Sequence, residues 1–161
     1  MVDVISLADA NSGNLNGINL AGRDLSGLNL QGVSLQRTNL TGANLSGAQL
    51  NNTNLTGANL SHAILTSADL TDAVLRNAHL SSANLNGATL VRSNLRGADL
   101  SRAQLTDAIL MGADFTRATL LGALISVEDL RRSCQFNFAQ LPNGRILYND
   151  SLNQAVRVVQ E

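Results

Sequence analysis

The chain has 161 residues, of which 44% are hydrophobic but only 2% aromatic, with no Trp, so it suits one domain with an aliphatic core. Twelve acidic residues face eleven Arg and no Lys, and a net charge of -1 leaves no global field to draw in nucleic acid or anionic lipid. The one cysteine, Cys134, excludes an internal disulfide framework and reads as a small buried apolar side chain rather than a nucleophile or ligand.

The start, Met1-Val2-Asp3-Val4-Ile5, lacks the basic region and long apolar stretch of a secretory signal. Polar residues interrupt every apolar run well short of membrane-spanning length. A cytoplasmic protein with no membrane partner is expected.

From Leu15 to Leu120, Leu stands at every fifth position, twenty-two sites broken only by Phe115. Five residues turn a helical side chain by roughly 140° and alternate faces on a strand, so neither period gathers these side chains on one face. The units, such as Ala43-Asn44-Leu45-Ser46-Gly47 and Ala98-Asp99-Leu100-Ser101-Arg102, follow a template A(N/D)L(S/T)x. Two residues before the centre, Ala fills fifteen of the seventeen sites from Ala43 to Ala123, the exceptions being Thr53 and Ser93. A large apolar residue and a tiny one at fixed offset both point into a narrow interior. The Asn, Asp, Ser and Gly positions are turn formers, so each unit is a short extended piece and a bend. Four sides closing a square take twenty residues per coil, and coils stack at roughly 4.8 Å. The register runs from Ile5 to Ile125, about six coils and a rod roughly 29 Å tall by that spacing.

This pattern resembles the pentapeptide repeat family of A(D/N)LXX units, over about three quarters of the chain. The resemblance implies an all-β fold, a right-handed quadrilateral parallel β-helix. Residues 1–125 are then the β-helix, 126–142 a C-terminal cap and 143–161 a tail. It also implies a cyanobacterial-type protein, among relatives that bind regulators or lack a known activity.

The first coil departs from the template, with Ile18, Arg23, Leu28 and Val33 where Ala normally sits, so its interior is expected to be wider or frayed, with Arg23 reaching the N-terminal rim. These four residues form a candidate N-terminal interface. Beyond the repeat, Ser126-Val127-Glu128-Asp129 reads as a helix N-terminus and Arg131-Arg132 as its C-terminus, predicting a short helix over the last coil. Phe136 and Leu141 resume the five-residue spacing with a one-residue shift, as degenerate units completing the cap. Pro142-Asn143-Gly144 predicts a turn, and Leu152, Ala155, Val156 and Val159 fall at helical spacing, predicting a final short helix.

On the outside, residues twenty apart are vertical neighbours. Asp72 lies below Arg92 as an expected salt bridge, and Asn59, His79 and Asp99 share a column. His62 stands elsewhere, and two separated histidines without clustered carboxylates or thiols make no metal site. Arg76 and Arg96 share a column, and Arg92, Arg102 and Arg117 enrich the same half; these five form the candidate partner-binding surface. The patch is mixed with Asp69, Asp72, Asp99, Asp107 and Asp114 and lacks aromatic stacking groups, which argues against direct nucleic-acid binding. There is no Walker loop and no nucleophile-base pair. Asn14, Asn19, Asn39, Asn44, Asn54 and Asn59 read as turn and ladder residues rather than ligands.

The functional expectation is a non-catalytic protein-interaction scaffold, monomer or end-to-end dimer, with an unidentified protein partner and no cofactor. The alternative, from family members that mimic DNA and inhibit type II topoisomerases, is disfavoured. Between Ile5 and Ile125, seven acidic residues are matched by seven Arg, whereas a phosphate mimic needs an excess of carboxylates.

Overall fold

The computed structural model describes residues 13–126, 130, 134–143, 146–149 and 156–159. Parallel bridges climb in steps of twenty residues, as in Asn14 to Ser34, Ser34 to Asn54 and Asn54 to Val74. Four such stacks, beginning at Asn14, Asn19, Asp24 and Asn29, make a four-sided coil in which each side pairs through a single residue. Hydrogen bonds cross between coils in both directions: Leu45 N–H donates to the Ile64 carbonyl at 2.7 Å, and Ile64 N–H donates to the Ala43 carbonyl at 2.9 Å. Backbone groups that the short sides cannot satisfy internally are thus satisfied by the next coil.

The corners are β-turns. Ala43 N–H donates to the Leu40 carbonyl at 3.0 Å, and the third residue of that turn, Gly42, has φ 64°. A left-handed residue at the third position defines a type II turn, which favours glycine there. Many corners nevertheless hold a longer residue in the same conformation, including Arg37, Arg92, Arg102 and Arg117 at φ 54–59°. The residue before each central Leu serves the corner from outside: Asn44 Oδ1 accepts from Ser46 N–H at 3.1 Å and from its hydroxyl at 2.7 Å. Asn44 also donates through Nδ2 to Asp24 one coil below, at 3.1 Å, so the turn and ladder roles coexist in one side chain.

The core is the stack of central Leu with Ala between them, nearly all of zero exposure from Leu35 onward. Each buried Leu contributes about 2 kcal/mol of transfer free energy. At the two exceptional small sites, the Thr53 hydroxyl donates to the Leu50 carbonyl at 2.6 Å and the Ser93 hydroxyl to the Leu90 carbonyl at 2.8 Å. A hydroxyl is tolerated in this interior because a turn carbonyl stands within reach.

The first described coil is not frayed, since every side keeps its bridge to the coil above. Ile18 and Leu28 are 36% and 41% exposed and Arg23 is exposed, while Val33 is buried. Three of the four large residues are thus left at least partly in solvent, and only Val33 enters the core. Register from Ile5 to residue 12 lies outside the described residues.

Past Ile125 the phase changes. β1 (Ala113–Asp114) pairs in parallel with β2 (Cys134–Gln135), Ala113 opposite Cys134, and Thr119 bridges Gln140: steps of twenty-one. Phe136, Ala139 and Leu141 are buried, as the shifted spacing predicts. Leu130 is helical and buried, its N–H donating to the Ser126 carbonyl at 3.2 Å; the rest of the expected short helix lies outside the described residues. Pro142 and Asn143 form a turn. β3 (Ala139–Gln140) pairs antiparallel with β4 (Ile146–Asn149), and β4 pairs antiparallel with β5 (Val156–Val159). This corrects the expected final helix at Val156 and Val159; Leu152 and Ala155 lie outside the described residues. Val156, Val158 and Val159 are β-branched, and a neighbouring strand edge outweighs the helical spacing of a short apolar set.

Candidate functional site

The side that carries Asn94 and Asp114 turns into the side that carries Asp99 and Thr119 at one corner of the coil. That corner is built, rung by rung, from Arg76-Asn77, Arg96-Gly97, Thr116-Arg117 and Asn137-Phe138. Arg117 N–H donates to the Asn137 carbonyl at 2.9 Å, which sets Phe138 one rung beyond Arg117. Of the five arginines grouped by sequence, Arg76, Arg96 and Arg117 are therefore brought together. Arg92 and Arg102 stand on the two adjacent corners.

At this corner lies an open cavity of about 340 Å³ lined by Arg96, Thr116, Arg117, Gln135, Phe136, Asn137 and Phe138. Arg96 Nη1 donates to Asp114 Oδ2 at 3.2 Å, a partly exposed pair that sequence columns did not foresee because it runs diagonally between sides. Burial opposes ionisation of Asp114. Hydrogen bonds from the Thr116 side chain and backbone, with the Arg96 charge, outweigh it and hold this carboxyl below its ordinary pKa of 3.8. Among the described residues Arg76 and Arg117 form no ion pair, and both are exposed.

Arg117 differs from the other corner arginines in what stands above it. One coil above Arg37, Arg92 and Arg102 stand Gly57, Gly112 and Gly122, where a Cβ would lie 3.6, 3.3 and 3.5 Å from the arginine Cγ. Those side chains run over the bare glycine. Above Arg117 stands Phe138 instead, 57% exposed and at φ 59°, a conformation costly for a bulky side chain. Phe138, Asn137 and Gln135 were missed from sequence. The signal was there, since the shifted Phe136 and Leu141 spacing implies a corner between them.

Elsewhere, Arg92 holds Asp72 in a fork, Nε to Oδ1 at 2.8 Å and Nη2 to Oδ2 at 2.6 Å, as the column predicted. The Arg92 guanidinium lowers the Asp72 pKa, and Asp72 raises that of Arg92. His79 bridges between Asn59 and Asp99 through its backbone. Among the described residues no group of three or more His, Cys, Asp or Glu is placed to hold a metal, and no helix is long and apolar enough to cross a membrane. Ile18, Arg23 and Leu28 lie exposed on successive sides of the first coil, whereas Val33, grouped with them by sequence, is buried.

No curated protein matches the chain. Among solved structures, HetL, a pentapeptide repeat protein involved in heterocyst differentiation regulation from Nostoc sp. strain PCC 7120, is similar at 21% identity and a TM-score of 0.61, covering 87% of this chain and 97% of HetL. A pentapeptide repeat protein of the Arabidopsis thaliana thylakoid lumen is 31% identical over 74% of this chain and 72% of its own, with a TM-score of 0.49. Rfr23 from the cyanobacterium Cyanothece 51142 is 32% identical over 66% of this chain and 90% of its own, also at 0.49. The pentapeptide repeats profile matches residues 6–42, 43–81 and 78–117 in eight copies, well over half the chain. The five-residue period, the twenty-residue coil and this match agree: the chain belongs to the pentapeptide repeat family, whose members adopt a right-handed quadrilateral β-helix.

Proposed function

We propose that the protein is a non-catalytic interaction scaffold, a rod of about six coils closed at its C-terminal end by residues 126–142, which presents the Arg76-Arg96-Arg117-Phe138 corner to a protein partner. The observation that carries this reading is the concentration at one corner of three exposed guanidiniums, one carboxylate and an exposed aromatic ring, on a coil whose repeated positions are spent on core and turns. Exposed residues the fold does not require are candidates for binding. Proteins of this family are generally non-enzymatic scaffolds, which favours binding over catalysis. An immobilised chain incubated with native extract is expected to retain a stoichiometric protein partner. Recovery of none would overturn the scaffold reading.

A further inference from the structure

We infer that this corner recognises an acidic protein segment, whose carboxylates sit between the guanidiniums of Arg76, Arg96 and Arg117 and whose apolar side chain lies on Phe138; the inference deepens the scaffold reading and rests on it. The corner carries three positive charges flanked by Asp114 and by Asp99, whose Oδ1 is taken up by the Ser101 N–H and hydroxyl, in a protein whose net charge is -1, so a positive excess is local and addressed to an anion.

The chemistry of the site selects which anion. Phosphate sites at turns use several free backbone N–H groups, and on the two middle rungs three of them are engaged: Arg96 N–H donates to Asn94 Oδ1, Thr116 N–H to Asp114 Oδ1 and Arg117 N–H to the Asn137 carbonyl. Recognition there falls mainly to guanidinium side chains, whose planar fork matches carboxylate and phosphate alike, so the choice between them rests on Asp114 and Phe138. Asp114 remains in the site and repels a dianion more than a monoanion. Its bond to Arg96 is single, 3.2 Å long and partly exposed, and so exchangeable for an incoming carboxylate. From Arg76 to Arg117 the ladder rises two rungs, roughly 10 Å at the ordinary strand spacing. One small anion fills one rung; a segment with several carboxylates fills the corner.

Phe138 supplies the apolar half. It occupies the left-handed corner position that in the coils below is held by Gly, Asn or Arg, and it leaves most of its ring in solvent. Exposure and backbone strain both count against it in the free protein. An apolar side chain laid over the ring would remove the exposure, and the adjacent cavity gives it room beside Arg117.

The test uses the intact chain and a short fluorescein-labelled peptide of alternating Glu and Phe, read by anisotropy at low ionic strength. Binding is expected, with none for the analogue that carries Gln in place of Glu. Arg96→Gln and Arg117→Gln should each weaken it by about tenfold, and Phe138→Asn, which keeps a left-handed preference, by a few-fold. Arg102→Gln, on another corner, should leave it unchanged, and all variants should retain the parent circular dichroism. No peptide binding, equal affinity for the Gln analogue, indifference to Arg117→Gln, or tighter binding of a single-stranded oligonucleotide would each overturn the inference. The scaffold reading fails separately. A native partner retained equally by the wild type and by Arg96→Gln/Arg117→Gln keeps the scaffold and removes the acidic segment. Peptide binding with no native partner does the reverse.

Discussion

Ala58 and Leu60 are both wholly buried, and their alternation down the coil leaves a channel of fixed width. A cavity or an extra methylene there is repeated through contacts above and below. Leu60→Ala is expected to cost about 3 kcal/mol, measured by urea unfolding with an unchanged m-value. At the surface, the carboxyl of Asp114 is the residue whose ionisation reports on the site. Its folded pKa is depressed, so its contribution to stability is present above the ordinary value of 3.8 and is lost as pH falls through the lower folded midpoint. An NMR titration should find that midpoint below 3.8, moving upward in Thr116→Val, which removes the hydroxyl bond but keeps the backbone one.

The corners are the elements where sequence varies, and their stability depends on pairs one coil apart. Gly112 and Gly47 share the left-handed conformation, but a Cβ at Gly112 would meet Arg92 Cγ at 3.3 Å, while one at Gly47 would meet nothing within 4 Å. Arg92 is tethered by its fork to Asp72 and cannot simply swing away. Gly47→Ala should cost about 1 kcal/mol from backbone strain alone. Gly112→Ala should cost more, and the excess should vanish in an Arg92→Ala background, the signature of a direct coupling in a double-mutant cycle.

At the scale of the molecule, each coil touches only its neighbours, so a change in the first described coil acts locally. On the first coil, Leu28→Asp is expected to leave thermal unfolding nearly unchanged because Leu28 is already 41% exposed. Val33→Asp should lower stability by about 3 kcal/mol because Val33 is 6% exposed and an aspartate there would be buried unpaired. Leu28→Asp is thus the variant that reads oligomeric state cleanly: light scattering that shows a dimer dissolved by it would place an interface on this coil. The purified chain is also expected to leave topoisomerase supercoiling uninhibited. Acidic residues between Ile5 and Ile125 are matched in number by Arg, and among the described residues Asp72 and Asp114 are paired with Arg92 and Arg96, which works against a row of carboxylates standing for phosphates.

What the five-residue pattern determined by itself was the coil, its interior of Leu and Ala, its polar corners and its vertical pairs. Each follows from contacts between residues five or twenty apart, and a strict period makes those separations readable. Asp72 with Arg92 was found this way, as was the Arg76-Arg96 column. Tertiary structure decided what the end of that period brings together. The one-residue shift and the corner it implies were legible in the Phe136 and Leu141 spacing, whereas the bond that seats Asn137 above Arg117 appears in the closed coil. Tertiary structure also decided the diagonal pair of Arg96 with Asp114, the exposure of Ile18 and Leu28, and the strand at Val156–Val159. The physical reason is the same in each case: an interior site is dictated by the repeat, whereas at an end, a phase change or a diagonal the partner comes from a part of the chain that the period does not specify.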